Sequence, residues 1–306
     1  MKKSRKNQIA QLLDTNKPEA VIHETETIFF YYYKPQSFDK IERVFKYICE
    51  LFNGLFPGYR KCNTEYHNLK HTLDAFLATA RLIDGRNIAL DIYPERKAVN
   101  LLIAALLHDT GYIQEESDTE GTGAKYTKVH VKRSIEFTER NAKILRLTRN
   151  DVSEIRNFIA CTGLKSDTVS NLSGDELAGG CILGTADLIG QMSDRAYLEK
   201  LLFLYYEFSE AGMDGFDTSF DILRNTLSFY ESTMDRLNDT LLKSYDFACY
   251  HFKKRYGVNE NLYITAMENQ MNYLKLIIDD ESTNFRKKLK RLNIEEIEQK
   301  YKTLAH

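Results

Sequence analysis

Prolines and glycines are scarce in this chain, 4 and 15 among 306 residues, so little interrupts a helical pattern. Cysteine is sparse too. Cys49, Cys62, Cys161, Cys181 and Cys249 are scattered, odd in number and form no CxxC pair. That argues against a thiolate zinc site or a disulfide frame, and for reduced thiols in a cytoplasmic protein. Long apolar runs are missing: the longest, Leu101–Leu107, falls far short of the roughly 20 residues a membrane span needs. The basic start, "MKKSRKNQIAQLLDT", leads into no signal-peptide core. Nor does one sign of charge dominate. The 42 basic and 44 acidic residues give a net charge of -2, which gives no reason to expect a nucleic-acid or membrane partner. The basic stretch "FRKKLKR" reads as a solvated helix face.

What the chain does have is 43% hydrophobic residues, ample for a core, arranged at helical spacing. "SFDKIERVFKYICELFNGLF" puts Ile41, Val44, Phe45, Ile48, Leu51, Phe52 and Leu55 at three- and four-residue intervals, ended by Gly54 and Pro57. The spacing predicts a next helix capped by Asn63 or Thr64 and ending before Gly85. "ERKAVNLLIAALLHDTGY" is apolar nearly all round and predicts a buried, central helix. "YTKVHVKRSIEFTERNAKIL" and "TRNDVSEIRNFIACT" continue the series. In "SGDELAGGCILGTADLIGQ", Ser173 and Glu176 have capping-box spacing. "ETETIFFYYY" has strand-like content, but we expect no sheet from it.

Certain residues sit awkwardly in these helices. In "EYHNLKHTLDAF", His67 and His71 are four apart, which on a helix would put their Cβ atoms about 6 Å from each other on one face. Surface, core and ligand roles all fit that spacing. In "HDTG", His108 and Asp109 end a helix too apolar to face water. An ionised aspartate buried there costs several kcal/mol unless it is paired or bound to a metal, and the helix C-terminus repels it by a further ~0.5 kcal/mol. Asp109 therefore needs a lysine, an arginine or a divalent cation beside it. Asp187, between Ala186 and Leu188 in "GTADLIGQ", raises the same problem. A set of His71, His108, Asp109 and Asp187 would be a mixed nitrogen and oxygen site, suited to Mn, Mg, Fe, Zn or Ni.

In that order and setting, the histidines and aspartates resemble the HD-domain metal-dependent phosphohydrolases. "YHNLKHT", "AALLHDTGY", "TADLIGQMSD" and "LLFLYYEFSEAG" are closest in motif to their cyclic-nucleotide phosphodiesterase branch, over residues 64–212. The resemblance implies an all-α, HD/PDEase-like helical bundle. Its core would span residues 61–212, with an N-terminal helical extension over 1–60 and C-terminal helices, 213–306, packing on the core. It implies that His71, His108, Asp109 and Asp187 hold a divalent metal, with Asp109 able to bridge to a second ion. His67 would be the general acid, and His130, in "YTKVHVKRS", a ligand of the second ion. The activity implied is hydrolysis of a small-molecule phosphoester, a nucleotide or cyclic nucleotide, by a metal-bound hydroxide.

The sequence also departs from that pattern. Tyr112 stands where the cyclic-nucleotide branch carries a further histidine, and "GFDTSFDILRNTLSFYEST" supplies no purine-clamping glutamine. "IACTGLKSD" offers Cys161, Thr162 and Lys165 where the cyclic-di-nucleotide branch has an adjacent histidine pair. The substrate is thus defined only as a class. A non-catalytic HD module for ligand binding or signalling, and a di-iron oxygenase on the same scaffold, stay open as alternatives. Glu115, Glu116, Asp118 and Glu120 read as a solvated acidic loop, and His23, His251 and His306 belong to no pattern. The apolar stripes of the C-terminal helices fit packing on the core or a homo-oligomer surface.

Overall fold

Two of the four prolines open helices, where a missing N–H costs nothing. In the computed structural model, which describes residues 8–163, 167–280 and 284–304, Pro18 begins α1 (Pro18–Phe29) and Pro35 begins α2 (Pro35–Phe52). Lys165 and His306 lie outside the described residues. The chain continues through α3 (Leu69–Ala89), α4 (Glu95–Leu107), α5 (His130–Asn141), α6 (Arg149–Ala160), α7 (Asp167–Ser170) and α8 (Gly174–Met192). It finishes with α9 (Tyr197–Glu210), α10 (Ser219–Asn238), α11 (Phe247–Tyr256), α12 (Leu262–Ile278) and α13 (Ile294–Leu304). The protein is all-α, 68% helix with no strand among the described residues. "ETETIFFYYY" runs through the end of α1, turning Phe29 and Tyr33 inward and leaving Phe30 and Tyr31 exposed.

Three helices make the centre. α3 and α8 pack together, and α4 lies against both. α4 is buried at every position from Ala98 to Leu107, as its all-round apolar composition requires. α2 lays its stripe of Ile41, Val44, Phe45, Ile48, Leu51 and Phe52 toward α4, and each such side chain stabilises the fold by roughly 1.5–3 kcal/mol. α1 and α11 cover α3, and α6 covers α4 and α8. One connected cluster of buried apolar side chains runs from Val21 to Ile294, so helices from both ends of the chain share the core. No helix among the described residues is long and apolar enough to cross a membrane.

Local signals misplace one helix start and one end, and α8 starts at Ser173 as its spacing predicts but without the capping box. α3 is capped by Asn68, whose side chain accepts from the His71 N–H at 3.2 Å, and not by Asn63 or Thr64. The Thr64 hydroxyl instead donates to the His67 carbonyl at 2.5 Å, closing a turn that ends before the helix. His67 therefore precedes α3 and does not share a helix face with His71. Ser173 is the N-cap residue of α8 but makes no side-chain cap bond; Glu176 is drawn away to Lys97 of α4, 3.8 Å off. α3 also runs on through Gly85 to Ala89. There the missing Cβ lets the backbone of α11 approach, because any Cβ at 85 would overlap the Phe247 carbonyl.

That approach seats an ion cluster. Asp84, 1% exposed, accepts from His251 Nδ1 at 2.6 Å and from Arg255 Nη2 and Nε at 2.6 and 3.1 Å. His251 is thus a buried partner of Asp84. Burial would raise the Asp84 pKa, but His251 and Arg255 outweigh it and hold the carboxyl below its usual value. Gly85→Ala is expected to push α11 off α3 and cost roughly 1–3 kcal/mol. Urea unfolding checks this, and an unchanged midpoint would show that the two helices tolerate wider spacing.

Candidate metal centre

Each side chain of the candidate site is fixed by its own local structure. The Asn68 cap sets His71 in the first turn of α3. His108 is the C-cap residue of α4. Its Nδ1–H donates to the Ala105 carbonyl at 2.8 Å, which leaves Nε2 as the free ring nitrogen. Asp109 follows and leads into a 3₁₀ turn, Thr110–Tyr112. That turn packs so closely on the start of α5 that a Cβ at Gly111 would overlap the His130 carbonyl. Ser134 of α5 holds it there, donating to the His108 carbonyl at 2.5 Å and accepting from the Gly111 N–H at 2.9 Å. Asp187 comes from α8.

The four side chains converge. His71 Nε2 lies 3.1 Å from Asp109 Oδ2 and 3.1 Å from Asp187 Oδ1. His108 Nε2 lies 3.4 Å from the same Asp109 oxygen, 3.5 Å from the Asp187 oxygen and 3.4 Å from His71 Nε2. Donor atoms bound about 2.1 Å from one ion stand about 3.0–3.5 Å apart in tetrahedral or octahedral arrangements. Asp109 Oδ2 is buried and makes no hydrogen bond, although His71 Nε2 is only 3.1 Å away. The ring edge and the carboxylate are close without being aligned on each other. Among the described residues neither aspartate has a lysine or arginine within ion-pair distance. His71, His108 and Asp109 are at most 3% exposed, while the Asp187 side chain is 18% exposed, so the cluster is open on that side. The ligand atoms of His71, His108 and Asp187 all lie within 4.8 Å of one another, a group that could hold a divalent cation, with Asp109 Oδ2 beside the two imidazoles.

Without a cation, protons must hold the charges together. Burial alone would lower the His71 pKa, but Asp109 and Asp187 outweigh it and hold the imidazole up at about 9. His108 is likewise pushed well above its ordinary value, burial being overcome by the same carboxylates. Burial would raise Asp109, but His108 and His71 keep it well below the usual carboxylate range.

The other expected residues stand at graded distances. His130 Nδ1 donates to the Thr127 carbonyl at 2.7 Å, and its Nε2 is 3.9 Å from Asp109 Oδ1, the oxygen opposite the one facing His71 and His108. Burial lowers its pKa despite Asp109, which favours the neutral, ligating form. His130 lies outside the tight cluster but on the side where a bridging Asp109 would meet a second ion. The His67 ring centroid is 5.9 Å from that of His71. It stacks on Tyr112 at 4.2 Å, and Tyr112 stacks in turn on His130 at 4.7 Å. Tyr112 therefore fills this space as a wall between two imidazoles. The acidic loop turns away: Asp118 is held by Lys125 and the Tyr126 hydroxyl, and Glu115 by Arg140.

One residue of the site escaped the reading of the sequence. Glu207 of α9 is fully buried, with Oε2 2.7 Å from His67 Nδ1 and Oε1 accepting from the Tyr66 N–H at 2.8 Å. It fixes the His67 ring with Nε2 directed away from it. A carboxylate within the apolar run "LLFLYYEF" is the same signal that singled out Asp187, and it would have found Glu207. Tyr301 of α13 reaches the same carboxylate at 3.5 Å.

Over residues 116–248 the chain is similar to a family described as Npun_R2479-like, which is uncharacterised. That span includes His130, Asp187 and Glu207 and begins after His67, His71, His108 and Asp109. No curated protein matches the chain.

A pH dependence follows from His71. Its folded pKa is raised from 6.5 to about 9. Its contribution is therefore complete below pH 6.5 and lost as pH rises through 9. In metal-free protein, stability should fall across that window by up to about 1.4 kcal/mol per pH unit for each such proton. Affinity for Mn²⁺ should rise across the same window, because the cation displaces the proton. Melting curves in EDTA and calorimetric titrations with Mn²⁺ check both trends. A flat metal-free profile would remove the His71 imidazolium from the account.

Proposed function

We propose that the protein is a metal-dependent phosphohydrolase acting on a small phosphoester of the nucleotide or cyclic-nucleotide class, from an HD-type core. The observation that carries this reading is the buried, unbonded Asp109 Oδ2 set beside two imidazole nitrogens, with no lysine or arginine within ion-pair distance among the described residues. His71, His108, Asp109 and Asp187 would hold a divalent cation, and His130 with Asp109 Oδ1 a second. A bound cation supplies charge neutralisation at the phosphoryl oxygens and an activated water at neutral pH.

The chain's own residues do the rest. His67, about one imidazole width beyond the cluster, holds its proton on Nε2 for delivery to the departing alkoxide oxygen. Glu207 accepts from Nδ1 and keeps the ring in that orientation. Tyr112, packed flat on His67, prevents the ring from turning away. The exposed edge of Asp187 leaves the side from which a phosphoester approaches. Next along α8, Leu188 lines an open groove of about 360 Å³ together with Phe229 and Arg236, within the size range of small-ligand sites.

Elemental analysis of the purified protein, followed by a panel of mono-, cyclic and di-nucleotide phosphoesters with Mn²⁺ or Mg²⁺, tests the proposal. Asp187→Ala and His71→Ala are expected to lose bound metal. His67→Ala should retain metal and lose at least about 10²-fold in turnover. Full turnover in His67→Ala would exclude the acid role. A metal-loaded wild type inert toward the whole panel would favour a ligand-binding module, and oxygen uptake by an iron-loaded sample would favour an oxygenase.

A further inference from the structure

The groove beside Leu188 contains a positive charge with no acidic partner. Phe229, Thr233 and Arg236 share one face of α10 and line the groove, with Thr240 just beyond the helix. Arg236 is half-buried. Its Nη2 donates to the Cys161 carbonyl at 2.9 Å and to the Gly163 carbonyl at 2.7 Å, both just past the end of α6. Its Nε is buried without a partner. Nη1 makes no hydrogen bond among the described residues and, unlike Nε, is not buried, so it is the free end of the guanidinium. Asp235 and Asp239 line the same groove but are exposed, and no described carboxylate forms an ion pair with Arg236.

The two carbonyls fix where this charge stands. The Cys161 carbonyl lies so close to α8 that a Cβ at Gly184 would come within 2.9 Å of it. Gly184, Asp187 and Leu188 share one face of α8, so the guanidinium is held beside the turn that leads to Asp187. A Cβ at Gly163 would stand 3.8 Å from Val131, the residue after His130. Burial lowers the Arg236 pKa, and the charge of Asp187 opposes that from beyond ion-pair distance. Holding the end of α6 accounts for Nη2. It does not account for a free donor and an unneutralised charge on the open side of Asp187, since carbonyls orient a guanidinium without cancelling its charge.

We propose that Arg236 is a substrate-binding residue of the metal centre, its Nη1 taking a phosphoryl oxygen that the cation does not hold as the phosphoester enters along the groove. The assignment rests on the phosphohydrolase reading for the cation and the substrate class. It adds the side of entry and the group that anchors the anion.

The test titrates inorganic phosphate into full-length, Mn²⁺-loaded protein by calorimetry. Wild type should bind one phosphate per chain. Arg236→Gln keeps an N–H donor for the carbonyls but removes the charge. It should weaken phosphate binding roughly tenfold or more, with Mn²⁺ content by elemental analysis as in wild type. Arg236→Lys keeps the charge with a different donor geometry and should fall between the two. On any ester of the panel that is cleaved, Arg236→Gln should raise KM more than it lowers kcat. No phosphate binding by wild type would overturn the assignment, as would wild-type affinity in Arg236→Gln. If that variant does not fold, wild-type affinity in Arg236→Lys would do the same. Loss of Mn²⁺ from folded Arg236→Gln would make Arg236 a support of the metal centre and also overturn it. Phosphate binding that depends on Arg236, in a protein that cleaves nothing on the panel, would uphold the anion site and remove the hydrolase reading.

Discussion

An aspartate carboxylate taken out of water must recover its lost hydration from some neighbour. Elsewhere this chain provides one in the ordinary way: Asp84 meets Arg255, Asp151 meets Lys40, Glu154 meets Lys97, and Asp194 meets Lys70 and Lys200. Asp109 and Asp187 have neither lysine nor arginine among the described residues. They face each other's histidines instead, at the junction of the three helices that form the centre of the fold. Basic side chains are plentiful in the sequence, yet among the described residues none comes within ion-pair distance of either aspartate. A cluster of that kind is stable only if the imidazoles take up protons or a cation takes their place, and the proposed function rests on the second choice.

Around the cluster the structure is layered. His71, His108, Asp109 and Asp187 are innermost. His130 and His67 stand beyond them, separated and steadied by Tyr112. Glu207 fixes His67 from behind, and Tyr301, from the last helix, reaches the same carboxylate. The layers draw on segments from Tyr66 to Tyr301, which explains why helices from both ends share one hydrophobic core. The similarity to the Npun_R2479-like family covers only the middle of this arrangement.

Much of the helical framework was legible in local pattern. The stripe of α2, the all-round apolar α4 and the need of Asp109 for a positive partner were each visible in a few residues. The errors fell where local signals compete. Asn63, Thr64 and Asn68 are all competent caps, and the choice of Asn68 depends on a turn closed by Thr64. That choice moved His67 off the helix and made its approach to the cluster a matter of loop geometry. Gly85 looked like a stop because its use, contact with the backbone of a helix more than 160 residues later, has no local signature. His251 looked ordinary because its partner, Asp84, is equally distant.

The sequence by itself determined that the chain would be helical, that α4 would be buried, and that Asp109 and Asp187 would need compensation, since these depend on periodicity and on the cost of desolvating a charge. Only the tertiary structure decided who compensates whom. It placed Arg255 on Asp84, Glu207 behind His67 and Tyr112 between two imidazoles, and kept every described lysine and arginine out of ion-pair reach of Asp109. Coulomb interactions and hydrogen bonds act over a few ångströms of space, and folding alone sets which residues come that close.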